Sequence, residues 1–134
     1  MDYAGVILEG ENNTLLLQLR DNNKKTKNPN TWSIFGGGIK KKELPIKAAI
    51  REIKEELNFT LKLKDLKLFI KENLNNQMYY IFRAKLIDLS ILSLAEGKDM
   101  HLFSKEELSK LNNVPLLMRK YEGKYWKERE ENPL

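Results

Sequence analysis

Cysteine is absent from this 134-residue chain. That excludes disulfides, a thiol nucleophile and any metal site built on thiolates. A single histidine, His101, leaves no basis for a zinc site of His and Cys. No apolar run approaches the roughly 20 residues that span a bilayer. The first ten residues, MDYAGVILEG, carry no basic segment ahead of an apolar one and lack the form of a secretory signal. The expectation is a cytoplasmic protein with no membrane partner. Repeats and low-complexity linkers are also missing, so residues 1–134 are expected to form one domain. With 41% hydrophobic and 32% charged residues, it has the composition of a globular domain with a core of its own. Lysine and arginine outnumber the acids 24 to 19, giving a net charge of +5. A modest positive excess suits phosphate-bearing partners by electrostatic steering. Lysine and asparagine are abundant along the whole chain, so overall composition explains the same excess.

The informative stretch runs from Gly36 to Phe59, GGGIKKKELPIKAAIREIKEELNF. Three glycines predict a turn that allows close backbone approach to a ligand. Lys40, Lys41 and Lys42 follow, and then a helix. Ile46, Ala49, Ile50, Ile53 and Leu57 recur at helical spacing and form its packed face. Glu52, Glu55 and Glu56 lie three and four residues apart, on another face. Like charges so spaced repel, and a divalent cation is the simplest compensation. Carboxylate oxygens without thiol or imidazole suit a hard ion, Mg²⁺ or Mn²⁺. Arg51 can also bridge to Glu55 or to a neighbouring carboxylate. The plain alternative is a solvated acidic face with ordinary ion pairs.

The spacing resembles the Nudix box, G-x5-E-x7-R-E-U-x-E-E-x-G-U with U an apolar residue. Here it reads Gly37, Glu43, Arg51, Glu52, Ile53, Glu55, Glu56, Asn58 and Phe59, and eight of these nine positions match. Asn58 replaces the glycine that ends the helix; asparagine is the next best residue for a left-handed conformation. Leu44 stands where the family often has a capping Ser or Thr, and Pro45 suits the first helical position. Trp32-Ser33-Ile34-Phe35-Gly36-Gly37 is similar to the family's W-x-L-P-G-G lead-in, with Phe35 in place of proline.

Around the box, residues 3–8 and 14–20 predict a hairpin of two strands. Arg20 at its end is either an exposed cation or, as in many Nudix proteins, a neighbour of the substrate pocket. Residues 21–30, DNNKKTKNPN, read as a polar loop. Trp32 to Phe35 predict a short strand, with Trp32 assigned to the core. Residues 66–73 and 77–86 predict a second hairpin closed by Leu74-Asn75-Asn76. Alternation puts Tyr80 and Phe82 on one face and Tyr79 on the other, and Tyr80 is the candidate for the substrate. Glu96-Gly97 precedes a short strand, and Ser104 with Glu107 makes a capping box for a helix through Leu111. His101 is assigned to a strand edge. Residues 114–131 predict a last helix that buries Leu116, Leu117, Tyr121, Tyr125 and Trp126. The fold class is α/β, an α/β/α sandwich with a mixed central sheet, as the resemblance also implies.

The resemblance implies a Mg²⁺-dependent pyrophosphohydrolase acting on a nucleoside diphosphate linked to another moiety, foremost a nucleoside triphosphate. By position, Gly36, Glu52, Glu55, Glu56 and Glu96 would hold metal. Glu52, Arg51 and Glu96 would serve catalysis. Arg20, Gly37, Gly38 and Tyr80 would meet the substrate, while Glu43 and Asn58 would be structural. The resemblance leaves the general base open. Two further readings are an RNA 5′-pyrophosphohydrolase and a non-catalytic nucleotide sensor. The partner is a small nucleotide, RNA being less favoured, and the protein is a monomer or homodimer.

Overall fold

The computed structural model describes residues 1–21, 29–86, 88–94 and 99–132. In chain order it has β1 (Tyr3–Gly10), β2 (Thr14–Leu19), β3 (Trp32–Ser33), β4 (Phe35–Gly38), α1 (Pro45–Leu57), β5 (Lys67–Leu74), β6 (Gln77–Lys85), β7 (Asp99–Ser104), α2 (Lys105–Ser109) and α3 (Leu116–Glu131). Most of the polar loop of residues 21–30, and Glu96 with Gly97, lie outside the described residues.

β1 is the axis of the sheet. One edge runs parallel to β6 from Tyr3↔Tyr79 to Glu9↔Lys85. The other edge is shared. Its first half, Tyr3 to Val6, pairs antiparallel with β4, and its last residues, Leu8 to Gly10, pair with β2. β3 continues along β2, so the chain crosses from one neighbour to the other at Ile34. β7 covers the far edge of β2, and β5 that of β6. The sheet is therefore mixed, and it parts between β3 and β4.

Strand alternation gives this sheet two apolar faces. Ala4, Val6, Leu8, Leu16 and Phe35 pack with Ala49, Ile53 and Leu57 of α1. Ile7, Leu15, Leu17 and Phe103 pack with Leu108 of α2 and Tyr121, Tyr125 and Trp126 of α3. Burying each large side chain contributes about 1.5–3 kcal/mol. The result is the expected α/β/α sandwich.

Several details differ from the sequence expectation. The three glycines form a strand rather than a turn, and the chain reverses later, where Lys42 has φ 67°. A Cβ at Gly36 would stand 2.5 Å from the Ala4 carbonyl oxygen and 2.6 Å from Gly5 Cα, so only glycine admits this approach of β4 to β1. The last helix starts at Leu116, after Pro115, and Leu116 is 89% exposed instead of buried. Gly123 lies within that helix, facing open space. The capping box of Ser104 and Glu107 forms, but its helix ends at Ser109. Trp32 stacks edge-on against Phe103 at 4.9 Å. His101 is exposed on β7. The β5–β6 turn holds Asn75 and Asn76 at φ 51° and 65°, conformations asparagine tolerates well.

Candidate active site

The site is assembled where α1 meets β4. Leu44 makes no side-chain cap, and Pro45 opens the helix with its fixed φ. At the other end Asn58 adopts φ 53° and ψ 38°, and its N–H donates to the Lys54 carbonyl at 3.0 Å. This is the left-handed cap expected of that position.

Arg51 organises the acids between these caps. Its Nε and Nη2 donate to the two oxygens of Glu43 at 2.8 and 2.9 Å, a bidentate pair. Nη1 reaches Glu52 at 2.9 Å and, more loosely, Glu55 at 3.4 Å. Nη2 also donates to the Gly38 carbonyl at 2.9 Å, tying α1 to β4. Glu43 further accepts the Lys40 N–H at 3.0 Å, which closes the loop before the helix. Hydrogen bonding from Arg51 lowers the Glu43 carboxyl to about 2. The same bonds raise Arg51 beyond its ordinary range.

Glu56 lies almost fully buried, and one oxygen accepts the Gly36 N–H at 3.1 Å. Gly37 faces Glu52 so closely that a Cβ there would stand 2.4 Å from its Oε1. Glu55 is the most open of the three, with its side chain 46% exposed. The acids of α1 thus lie along one side of β4.

A cleft of about 600 Å³ lies against the same strand, where the sheet parts. Gly36, Gly37 and Gly38 form one wall; Arg20, Ser33, Tyr3, Tyr79 and the first turn of α3 form the others. The rings of Tyr3 and Tyr79 are 5.7 Å apart. Burial, and then the charge of Glu56, keep the Tyr3 hydroxyl protonated far above its usual range.

Most of the site residues named from the sequence come together here. Arg20 and the glycines line the cleft, and Glu43, Arg51, Glu52, Glu55 and Glu56 gather behind it. Tyr80 does not join them. It packs against the α1 side of the sheet, and its neighbour Tyr79 lines the cleft instead. Alternation separated the two tyrosines correctly but carried no sign of which face held the cleft. Glu96 lies outside the described residues. Tyr3, Ser33, Leu117 and Met118 were not read from the sequence as site residues: Ser33 stands at the variable position of the lead-in, Leu117 was assigned to the core, and only the topology gathers them.

The donor set fits a hard divalent ion by chemistry. Glu52, Glu55 and Glu56 offer carboxylate oxygens from successive turns of α1, beside a strand rich in backbone carbonyls. Their side chains turn instead toward Arg51 and the Gly36 N–H, and no three acids converge tightly among the described residues.

The Nudix domain model matches residues 1–124. The chain belongs to the Nudix family. Its members hydrolyse nucleoside diphosphates linked to a further group and generally use a divalent metal. No curated protein matches this sequence. Among solved structures, a MutT protein from Methanosarcina mazei Go1 superposes with a TM-score of 0.77 at 20% identity, over 98% of this chain and 95% of that one. A Nudix hydrolase from Nitrosomonas europaea gives 0.74 at 24% identity, over 98% and 74%. A bifunctional NMN adenylyltransferase/ADP ribose pyrophosphatase from Francisella tularensis, complexed with AMP and a Mn ion, gives 0.73 at 16% identity, over 96% of this chain and 42% of that one. Among the described residues, no helix of this Nudix hydrolase is long and apolar enough to cross a membrane.

Proposed function

We propose that this Nudix hydrolase is a Mg²⁺-dependent pyrophosphohydrolase that cleaves a nucleoside triphosphate to the monophosphate and pyrophosphate. One observation carries the reading. The acids of α1 and the cleft are divided only by β4, where three of four residues have no side chain. A polyphosphate lying along that strand would meet bare main chain and, just beyond it, the carboxylates.

Glu55, Glu56 and the Gly36 carbonyl would hold the metal, with Glu52 as a further oxygen ligand or as the base that takes the proton of the attacking water. When bound, the metal neutralises phosphate charge and acidifies a coordinated water. The remaining work belongs to the chain. Arg51 holds Glu52 and Glu55 at fixed positions, and Glu43 holds Arg51. Gly38 docks onto Arg51, which sets the distance from strand to helix. Arg20 offers positive charge inside the cleft, where a phosphate or an acceptor group of the substrate can use it. Attack by water at phosphorus breaks the bridging P–O bond, and pyrophosphate departs with the bonding electrons.

The test is hydrolysis of canonical and oxidised nucleoside triphosphates, nucleotide sugars, dinucleoside polyphosphates and triphosphorylated RNA, each with Mg²⁺, Mn²⁺ or EDTA. Turnover of a nucleoside triphosphate that vanishes with EDTA, and falls at least a hundredfold in Glu55→Gln, is the expected result. Preference for another member of the panel replaces the proposed substrate. Nucleotide binding without any turnover overturns the reading.

A further inference from the structure

Ile34 is 5% exposed and belongs to neither strand where the chain crosses from β3 to β4. A main-chain N–H in such a place needs an acceptor. This one donates to Met118 Sδ at 3.4 Å, across 84 residues of sequence. A thioether is a weak acceptor, so the joint is a soft one. It adds to two other bonds that fasten residues 113–118 to the chain around β3. Trp32 N–H donates to the Asn113 carbonyl at 2.9 Å, and Asn113 Nδ2 donates to the Asn30 carbonyl at 3.0 Å. The helix α3 itself opens after Pro115 without a side-chain cap. Its first turn is a wall of the cleft, and Met118 ties that wall to the parting of the sheet. The chain has no cysteine, so its four methionines carry all the sulfur that an oxidant can reach. Met118 is half-buried and lines the 600 Å³ cleft, which has room for a molecule as small as hydrogen peroxide.

We propose that Met118 is an oxidation site, and that peroxide acting on its sulfur weakens substrate binding in the cleft. A lone pair of the sulfur attacks one oxygen of hydrogen peroxide. An S–O bond forms and the O–O bond breaks. The departing hydroxide takes the remaining peroxide proton and leaves as water. The sulfur loses two electrons and the peroxide gains them. The product is a polar sulfoxide where an apolar side chain stood. An oxygen added toward Ile34 must enter a gap of 3.4 Å, which drives sulfur and amide apart. The void beside Met118 gives no relief, being about 10 Å³ and lined by Ile7, Leu15, Leu17, Leu108 and Val114 among others. An oxygen added toward the cleft changes the wall that the substrate meets. Each course alters the cleft, while the acids of α1 lie across β4 and keep their partners. The change therefore falls on KM rather than kcat. This rests on the hydrolase reading above.

The experiment treats wild type and Met118→Leu with dilute hydrogen peroxide and maps sulfoxides by peptide mass spectrometry. KM and kcat are then measured for the member of the substrate panel that is hydrolysed. Leucine keeps an apolar side chain of similar volume and removes the sulfur. Oxidised wild type is expected to carry a sulfoxide at Met118 and to show KM raised about fivefold, the scale of one lost hydrogen bond, with kcat little changed. Methionine sulfoxide reductase should restore KM. The KM of Met118→Leu, whatever its starting value, should not move with peroxide, although Met1, Met78 and Met100 are still present. This proposal alone is overturned by an unoxidised Met118 in a protein whose exposed Met1 has reacted, or by a sulfoxide at Met118 that leaves KM unchanged. A peroxide-sensitive KM in Met118→Leu overturns it too, as does a loss of kcat as large as the rise in KM, which marks general damage. Untreated wild type that hydrolyses no member of the panel overturns the hydrolase reading and this proposal with it.

Discussion

Arg51 shows how one residue settles a local conflict of charge. Glu43, Glu52 and Glu55 all reach its guanidinium, and a planar fork of five donors can serve them together with the Gly38 carbonyl. The consequence for pH can be worked out at Glu43. Its folded pKa is about 2, against an ordinary 4.5. As pH falls below about 4.5 the unfolded chain takes up this proton first, so folding loses the contribution progressively down to about pH 2. Above that window the contribution is fully present. Thermal melts of wild type and Glu43→Gln should therefore converge as pH is lowered from 5 toward 2, the wild type losing more. Parallel curves across that interval would mean that Glu43 titrates normally. The pairing of Arg51 with Glu55 was legible in the sequence, since four-residue spacing stacks side chains on one helix face; its shorter bonds to Glu43 and Glu52 follow from the fold of the loop before the helix. The burial of Glu56 was not legible, because it depends on β4 lying over that face.

Among the elements, β4 departs most from local rules. Glycine is depleted in strands, so a run of three predicts a turn. Here tertiary contact decides otherwise, because β1 and Glu52 leave no room for a Cβ on either side. Gly37→Ala isolates the point. Its methyl group would stand 2.4 Å from Glu52 Oε1, and the glutamate, as a side chain, must move. The expected variant is folded, with circular dichroism like the wild type, but with kcat reduced at least tenfold. Retention of full activity would show that the position of Glu52 is not critical. By contrast α1 followed its sequence closely at both ends. Pro45 and Asn58 each impose a backbone angle through their own chemistry, with no help from distant residues.

At the scale of the molecule, two apolar faces on one sheet demand two helical covers, and alternation in β1 announces both. Ala4, Val6 and Leu8 face α1, while Ile7 faces α3. That is why the sandwich could be anticipated. The cleft could not, since it draws residues from β1, β3, β4, β6 and α3, and Arg20 from just past β2. The cover on the second face is asymmetric: Trp126 is 6% exposed and Leu116 is 89% exposed. Denaturant unfolding should show a loss of about 3–5 kcal/mol for Trp126→Ala and no more than about 0.5 kcal/mol for Leu116→Ala. Comparable losses would place both residues in the core. The bare strand between helix and cleft also bears on how such an enzyme diversifies. Residues on β2, β3 and α3 can be exchanged without disturbing the acids across the strand. A lineage can thus acquire new substrates while inheriting its catalyst intact, and the record of that history should be variation on one side of β4 and stasis on the other.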